Sequence, residues 1–305
     1  MVDVSRGSEP TPVRLGEGSE IPPGFEYVAS CFGGGAGGVE GDVVVTRGCD
    51  CGPDLPCDPT RCTCCRNADG LPAYDANGRL KRAVCEPAGS EAERDDIGFG
   101  LGVIRECGVA CRCGPECVNR SSRLGVVHKL SVRLAPGGCG LGVFADEDIP
   151  AGSRVCGYHG EAIDAAEATR RLRANDELGA NNYVLLLREA EAEAEAEAEA
   201  EASLGDGGVR VFGVDPTRAG CVGRWLNHAC DGGNLAPTLV RRAGERRPEA
   251  AFFAARDVAA GEELRWRYGA PSRGGDGASR ARRKCACGTS ACLGWMPFDR
   301  GGEDG

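Results

Sequence analysis

Aromatic residues and long apolar runs are scarce in this sequence of 305 residues. Phe, Trp and Tyr make up 5% of the chain and glycine accounts for 48 residues, a balance that favours a strand-rich, loop-rich protein over long helices. No stretch approaches the roughly 20 apolar residues that a membrane-spanning helix requires. Residues 1–20 are polar and lack the apolar core of a secretory signal. These absences predict an intracellular protein that does not associate with a membrane.

Basic residues are in deficit as well. The formal net charge is −10, from 46 acidic and 36 basic residues. Nucleic-acid binding usually requires a basic surface, so no direct sequence-specific nucleic-acid binding is expected, and the acidity instead suits a basic partner. Part of that acidity lies in the alternating Glu-Ala run 189–202, which separates two predicted strands and is interpreted as a tolerated loop insertion.

Cysteine, in contrast, is abundant, with 19 residues. An odd number of cysteines with tight Cys-x-Cys spacings in an intracellular chain favours metal binding over disulfides, because adjacent thiolates can converge on one ion. The first group is Cys49, Cys51, Cys57, Cys62 and Cys64, with Cys65 adjacent; the second is Cys107, Cys111, Cys113 and Cys117; the third is Cys285, Cys287 and Cys292. Nine thiolates fill three tetrahedral zinc sites if three sulfurs bridge, and the third group needs a fourth ligand from elsewhere.

Short β-type runs separated by Gly and Pro turns dominate the rest of the chain. The predicted strands are Ser131–Ala135, Leu141–Ala145, Arg154–Tyr158, Tyr183–Leu187, Val209–Val214, Ala251–Val258 and Glu262–Tyr268. One helix is predicted from an N-cap at Asp164 to about Asn175. Many short strands with one modest helix predict a mostly β fold with short helices, not a βαβ repeat.

The nine-cysteine spacing, closed by Cys117-Val-Asn-Arg120, resembles the pre-SET region of SET-domain histone lysine methyltransferases of the class that acts on lysine 9 of histone H3. The resemblance implies a triangular three-zinc cluster, with Cys65 and Cys85 spare, although Cys64 and Cys65 could exchange roles. The third group resembles the post-SET motif, whose fourth ligand comes from an Asn-His-x-Cys motif, here Cys230. An independent zinc knuckle is the alternative for this group.

Further motifs follow in the order expected of a SET domain: Gly140-Leu-Gly-Val143, Cys156-Gly-Tyr-His-Gly-Glu161, Tyr183, Arg224-Trp-Leu-Asn-His228 and Glu262-Glu-Leu-Arg-Trp-Arg-Tyr268. Residues 1–42 are rich in Gly, Pro and Ser and are predicted to form a flexible leader. The resemblance implies a pre-SET cluster at 43–120, a SET β-fold at 121–270, and a post-SET motif with a tail at 271–305. S-adenosylmethionine is then the cofactor, with three zinc ions in the pre-SET and one in the post-SET module. A histone H3 tail, or another basic protein, is the implied substrate, and the nucleus and chromatin are the implied location.

The chemistry explains the residue types. Methyl transfer to lysine needs a neutral amine, whose free pKa is about 10.4, so an apolar channel must disfavour the ammonium while hydroxyls orient the nitrogen. By resemblance Tyr268 is catalytic and Tyr158 supplies a second hydroxyl. The implied cofactor-binding residues are Cys139, Gly140, Leu141, Gly142, Tyr183, Arg224, Asn227, His228 and Trp295, and the implied channel residues are Leu185 and Trp266. Taken alone, Tyr268 is better interpreted as an ordinary buried strand residue, and only its place among the other motifs favours the catalytic role.

Several positions depart from the family pattern. Leu141 stands where tryptophan is usual and Leu185 where a channel aromatic is common. Trp266 occupies the position whose Phe or Tyr identity governs how many methyl groups are added, so its indole either restricts the product to monomethyl-lysine or blocks the channel. Gly157 and His159 also replace the usual neighbours of Tyr158, and Arg267 follows Trp266 where aspartate is usual. A catalytically silent, zinc-held chromatin-binding module is therefore the alternative to an active enzyme, and a non-histone substrate is a third possibility.

Overall fold

The computed structural model describes residues 2–33, 47–53, 57–58, 61–65, 72–81, 103–190, 209–245, 247–269 and 283–297. Over these ranges the chain is mostly β, with one α-helix and several short 3-10 helices, which confirms the predicted fold class. No helix in these ranges is long and apolar enough to cross a membrane.

The strands and the helix are numbered along the chain. They are β1 (Arg14–Leu15), β2 (Glu26–Tyr27), β3 (Ile104–Glu106), β4 (Leu130–Leu134), β5 (Leu141–Ala145), β6 (Arg154–Gly157), β7 (Glu161–Asp164), α1 (Ala165–Glu177), β8 (Leu185–Ala190), β9 (Val209–Asp215), β10 (Ala219–Gly220), β11 (Asn227–His228), β12 (Leu235–Arg242), β13 (Glu249–Ala254) and β14 (Glu263–Trp266).

A five-stranded sheet in the order β1-β4-β5-β14-β11 carries most of the candidate site. β4 and β5 form an antiparallel pair joined by the turn Pro136–Gly138, and β14 pairs with β5 through Leu264 and Val143. On its other edge β14 runs parallel to β11, with His228 opposite Trp266. This register places the Asn227-His228 pair beside the strand that ends just before Tyr268.

A second sheet, in the order β3-β12-β13-β6, supplies the core behind the site. Successive residues of a strand point to opposite faces, so Phe252 and Phe253 of β13 serve two clusters. Phe252 packs with Trp266 in the main core, whereas Phe253 packs with Ile104 of β3 in a smaller one. β3 directly precedes the second cysteine group, so its pairing with β12 joins the cysteine-rich region to this second sheet.

The third sheet, in the order β7-β9-β8, is covered by α1. The Asp164 carboxylate caps the helix by accepting the Glu167 N–H at 2.7 Å, which confirms the predicted N-cap. Ala168 and Leu172 form the buried face of the helix. β8 extends to Ala190, so the predicted loop 189–202 is wrong for its first two residues; residues 191–202 lie outside the described residues.

The expectation of a flexible leader over residues 1–42 is wrong for residues 2–33. Val4 and Val13 are 3% and 0% exposed, and Phe25 and Tyr27 are also buried in the main core. β1 pairs with β4 and β2 pairs with β10, so this segment is part of two sheets. The richness in Gly and Pro that suggested flexibility instead serves the turns between very short strands.

Candidate functional site

Tyr268 lies two residues beyond the end of β14, in an aromatic array. Its hydroxyl donates a short hydrogen bond to the carbonyl oxygen of Leu226. Its ring centroid is 5.0 Å from that of Trp266, and Phe252 lies 5.1 Å beyond Trp266. Burial raises the pKa of the Tyr268 hydroxyl above its ordinary value, so the group is a neutral phenol at physiological pH.

Tyr158 follows β6 on the other side of the same array. Its hydroxyl donates to the carbonyl oxygen of Tyr183 at 2.7 Å, and its ring centroid lies 6.3 Å from that of Phe252. Burial raises the pKa of Tyr158 well above its ordinary value. Phe252, which sequence reasoning missed, therefore lies between Tyr158 and Trp266; its Ala-Phe-Phe-Ala context signals a buried strand and nothing more.

The Asn227-His228 pair is anchored to the sheet through its side chains. Asn227 Nδ2 donates to the carbonyl oxygen of Leu141 at 3.2 Å and to Glu263 Oε1 at 2.8 Å. His228 Nδ1 accepts the backbone N–H of Tyr268 at 3.2 Å. Burial, reinforced by the charge of Arg267, lowers the pKa of His228 to about 4, so the imidazole is neutral at physiological pH.

The glycine loop before β5 is exposed and lies between Asn227 and the C-terminal cysteines. Gly138 and Gly140 have φ of 78° and 85°, a left-handed conformation that favours glycine. A Cβ on Gly142 would lie 2.7 Å from Glu263 Oε1, so no larger residue fits there without displacing that carboxylate. The Cys139 thiol donates to the carbonyl oxygen of Ala286 at 3.5 Å. The glycines of the loop therefore leave its backbone exposed, with open space beside it.

Arg224 and Tyr183 are also brought together. The guanidinium carbon of Arg224 lies 4.1 Å from the centroid of the Tyr183 ring, a cation–π contact, and Arg224 Nε donates to the carbonyl oxygen of Pro216 at 2.9 Å. Leu185 begins β8 and packs against the main core. Trp295 is 41% exposed and pairs through its backbone with Lys284.

The first two cysteine groups pack together into one core that consists almost entirely of cysteine side chains. Cys49, Cys57 and Cys107 lie at its centre, with Sγ–Sγ distances of 3.7, 3.9 and 3.6 Å. Three sets of four thiols lie close enough to hold an ion: Cys49, Cys64, Cys107 and Cys111; Cys49, Cys57, Cys107 and Cys113; Cys49, Cys51, Cys57 and Cys62. Cys117 and Cys65 are buried in the same core but belong to none of these sets. Cys85 lies outside the described residues.

Two polar residues that follow the second group support this core. Asn119 Nδ2 donates to the carbonyl oxygen of Cys64 at 2.7 Å and lies 3.5 Å from Cys107 Sγ. Arg120 donates to the carbonyl oxygen of Cys113 at 3.0 Å and to its Sγ at 3.3 Å. A guanidinium beside clustered thiolates offsets their mutual repulsion. The Asn-Arg pair was recognised in the sequence as a motif, but its contacts with sulfur were not foreseen.

The C-terminal cysteines meet Cys230 as predicted. Cys230, Cys285, Cys287 and Cys292 form a fourth set of four thiols whose Sγ atoms all lie within 4.8 Å of one another. Cys230 follows β11 directly, so this set lies beside Asn227 and His228. The geometry suits one tetrahedral zinc and does not require the alternative of an independent knuckle.

Comparison with known proteins decides the family. A Pre-SET motif model matches residues 5–120 and a SET domain model matches residues 140–269. The chain is 34% identical over 247 residues to the histone-lysine N-methyltransferase SUVR3 of Arabidopsis thaliana, covering 76% of this chain and 66% of SUVR3. It is 30% identical to SETMAR of Bos taurus over 98% of this chain and 90% of that protein. The chain belongs to the SET-domain family of histone-lysine N-methyltransferases.

Solved structures agree with this membership. The methyltransferase domain of human SETMAR superposes with a TM-score of 0.71 at 28% identity and covers 98% of both chains. SUVH6 of Arabidopsis thaliana in complex with SAM gives a TM-score of 0.68 at 26% identity over 96% of this chain and 55% of that chain. As a member of this family, the protein is an S-adenosylmethionine-dependent protein-lysine N-methyltransferase.

The side chains fit the family's cofactor and metal. An exposed glycine backbone with positive φ beside the Asn227 amide offers hydrogen-bonding groups to the amino-acid part of S-adenosylmethionine, and the aromatic array offers an apolar wall to its sulfonium end. The four sets of thiols have the donor type that zinc prefers. Both groups therefore have suitable partners in this chain.

Proposed function

We propose that this protein methylates lysine 9 of histone H3. The observation that carries the chemistry is a pair of tyrosines, the partly buried Tyr268 and the buried Tyr158, whose hydroxyl protons are both donated to backbone carbonyls. Their oxygens are left as acceptors in an apolar site. The lysine 9 assignment rests on the nine-cysteine spacing and on a relative: KRYPTONITE, 25% identical with a TM-score of 0.66, is solved with an H3(1-15) peptide, DNA and SAH.

The two hydroxyls act on the substrate amine by position, without changing their own protonation. S-adenosylmethionine supplies an electrophilic methyl group on sulfur. The apolar core behind Tyr268 and Tyr158 shields the site from water, and this desolvation favours the neutral lysine amine over the ammonium. The oxygens of Tyr268 and Tyr158 accept hydrogen bonds from the amine and fix its direction of attack.

The cofactor-binding assignments remain those of the family pattern. We propose that the backbone of Cys139–Gly142, the Asn227 amide and the backbone of His228 hold the amino-acid and adenine parts of the cofactor. Arg224 and Tyr183, which stack on each other, line the same pocket. Trp295 closes over the channel as part of the C-terminal segment, and Leu185 lines the channel from β8.

For the metal sites we propose three zinc ions in the N-terminal core and one in the C-terminal set. We propose Cys49, Cys57 and Cys107 as the three bridging ligands, because Cys49 belongs to all three N-terminal four-thiol sets and Cys57 and Cys107 each belong to two of them. The terminal ligands are Cys51, Cys62, Cys64, Cys111, Cys113 and Cys117. The membership of Cys64 in one set supports Cys64 over Cys65 as the ligand.

The domain boundaries and the location are part of the same proposal. We propose a pre-SET module that extends N-terminally of residue 43, a SET domain over 121–270 and a post-SET module from 271. A chromatin-bound, nuclear protein is the location that suits the substrate. The excess of acidic residues favours encounter with the basic histone tail, which pairs as an extended strand at a sheet edge.

The site is tested with two peptides. Zinc-loaded protein, labelled S-adenosylmethionine and an H3 tail peptide are combined, and the matched control peptide carries arginine at position 9. We expect label in the native peptide alone. Label in both peptides, or in intact histones but in neither peptide, would move the target away from lysine 9 while leaving the enzyme class intact.

Leu141, Leu185 and Trp266 all depart from the family pattern at the cofactor pocket or channel, so cofactor binding is measured directly. Calorimetric titration of folded, zinc-loaded protein with S-adenosylmethionine is expected to give micromolar binding. The absence of any heat would contradict the cofactor-binding assignments. Labelling of a non-histone protein without labelling of histones would instead select a different substrate.

A further inference from the structure

The C-terminal thiol set is linked to Tyr268 from two directions. Arg267, the residue before Tyr268, donates from Nη2 to the carbonyl oxygen of Cys230 at 2.7 Å. His228 places Nε2 at 3.2 Å from Cys230 Sγ, and its Nδ1 accepts the Tyr268 N–H. These contacts close a ring that runs from Cys230 through Arg267, Tyr268 and His228 back to Cys230.

The hydrogen bonds fix which nitrogen of His228 carries the proton. Because Nδ1 accepts from Tyr268, the neutral imidazole has its proton on Nε2 and donates it to the sulfur of Cys230. A metal-bound thiolate is a stronger acceptor than a free thiol, since a charged partner strengthens a hydrogen bond. His228 and Cys230 are 7% and 2% exposed, so water does not compete with this bond.

We infer that Arg267 and His228 are positioning residues that couple metal occupancy of the C-terminal thiol set to the placement of Tyr268. The inference rests on the proposed function only for the role of Tyr268. Arg267 stands where the family usually has aspartate, and a carboxylate could not donate to the Cys230 carbonyl. The link through Arg267 is therefore a feature of this chain and explains one of its departures.

The same strand provides a matched control. Arg265 of β14 donates to the carbonyl oxygen of Cys287 at 2.8 Å, so it also anchors the C-terminal set. Arg265 lies outside the ring of contacts, however, because it does not bond to Tyr268 and is not adjacent to Tyr268 in the sequence. A purely structural role for arginines at this interface predicts equal effects at Arg265 and Arg267, whereas the coupling predicts an effect at Arg267 alone.

The test reads the Tyr268 environment directly. The chain has five tyrosines, so carbon-13 labelling of tyrosine gives few resonances, and Tyr268→Phe assigns the relevant one. Cys292→Ser removes one ligand of the C-terminal set. We expect Cys292→Ser to shift the Tyr268 resonance when it is introduced into the native protein or into Arg265→Met. When it is introduced into Arg267→Met, the resonance is expected to shift at most half as far. Arg267→Lys, which keeps a donor, is expected to restore the shift.

Metal release provides a second measurement on intact thiol sets. Release of one zinc to a chromogenic chelator is expected to be about 10-fold or more faster in Arg267→Met and in His228→Asn. Residues that hydrogen-bond to metal ligands typically contribute at least that factor to metal affinity. This measurement decides alone if Cys292→Ser does not fold. The coupling would be overturned by a Tyr268 resonance that does not respond to Cys292→Ser, by an equal response in Arg265→Met and Arg267→Met, or by a release rate that is the same in the native protein and in Arg267→Met. Neither readout requires methyl transfer, so an inactive enzyme would refute the proposed function separately.

Discussion

At the scale of single residues, two departures from the family pattern near Tyr158 explain each other. His159 Nε2 lies 3.0 Å from Glu249 Oε1, and a Cβ on residue 157 would lie 2.3 Å from the same imidazole nitrogen. Glycine at 157 thus makes room for the histidine. Glu249 is 7% exposed and also pairs with Arg154 and Arg242, so the histidine belongs to a buried ion cluster behind the strand and not to the channel.

Removal of the Glu249 charge should cost stability. Burial alone would raise the pKa of Glu249, but His159, Arg242 and Arg154 lower it to about 2. A carboxylate whose pKa is lowered stabilises the fold at every pH above its unfolded value of about 4.5, and the benefit disappears as pH falls from there towards 2. Glu249→Gln should therefore lower the free energy of unfolding by about 3 kcal/mol between pH 6 and 8.

Urea denaturation of the zinc-loaded protein measures this difference. Glu245→Gln is the control, because Glu245 pairs with Arg123 and Arg242 at a side chain that is 23% exposed, and such pairs contribute about 1 kcal/mol or less. If both substitutions lower the free energy of unfolding equally, the buried ion cluster contributes no more to stability than the ion pairs of Glu245.

The pH dependence of the reaction should follow the substrate alone. Burial raises the pKa of Tyr268 and of Tyr158 above the ordinary value, and the pKa of His228 is lowered to about 4. None of these groups titrates between pH 7 and 9, whereas the lysine amine must lose a proton. The single-turnover rate is expected to rise about tenfold per pH unit across this interval. A maximum below pH 9 would assign a titrating role to an enzyme group.

Trp266 should set the number of methyl groups transferred. Its indole is 3% exposed and is held between Phe252 and Tyr268, so it fills space that a smaller aromatic would leave free. We expect monomethyl-lysine from the native enzyme and di- or trimethyl-lysine from Trp266→Phe, measured by mass spectrometry of the peptide. Phe253→Leu, in the separate core cluster, should keep the native product. Trimethylation by the native enzyme would contradict this role.

At the scale of elements, local sequence patterns located most of the fold. β5 was predicted with its observed bounds, and α1 with its N-cap, because turns and capping residues are local signals. β12 was missed, since Pro237 and the Arg241-Arg242 pair argue against a central strand. Arg241 is nevertheless buried by its ion pair with Glu189 on β8, a partner 52 residues away that no local pattern reveals.

The site followed a similar division. The cysteine spacings indicated which thiols converge, because nearby ligands on a short loop can reach one ion. The order of motifs predicted Tyr268 and Asn227 as site residues, and the structure places them on or beside two paired strands, β14 and β11. The supporting contacts depend on tertiary packing and were not predicted: Phe252 between the aromatic side chains, Glu263 on the Asn227 amide, and Arg120 on the Cys113 sulfur.

The metal content tests the cysteine assignment. Elemental analysis is expected to give four zinc ions per chain, and strong chelation should unfold the cysteine-rich region, because structural zinc contributes on the order of 10 kcal/mol to such folds. Cys57→Ser removes a proposed bridge and should lower the count by more than one. Cys65→Ser, a buried thiol in the same core, should retain all four ions. A full count in Cys57→Ser would refute the bridged cluster.

At the scale of the whole molecule, segments far apart in sequence meet at the site. The N-terminal residues pair with β4, β3 joins the cysteine core to the sheet behind Tyr158, and the C-terminal thiols reach Cys230 beside His228. The similarity to human SETMAR extends over the same segments, at 98% of both chains. Activity should therefore depend on the metal-bound modules as well as on the SET domain.

The most direct measurement compares the native protein with Tyr268→Phe in a methyl-transfer assay on histone H3, with cofactor binding measured by calorimetry on the same preparations. We predict that the native protein transfers label, that Tyr268→Phe loses at least about 100-fold in rate, as removal of a positioned hydrogen-bonding group at a reacting centre typically causes, and that both bind S-adenosylmethionine equally. Equal transfer rates in the two proteins would contradict the central role given to Tyr268.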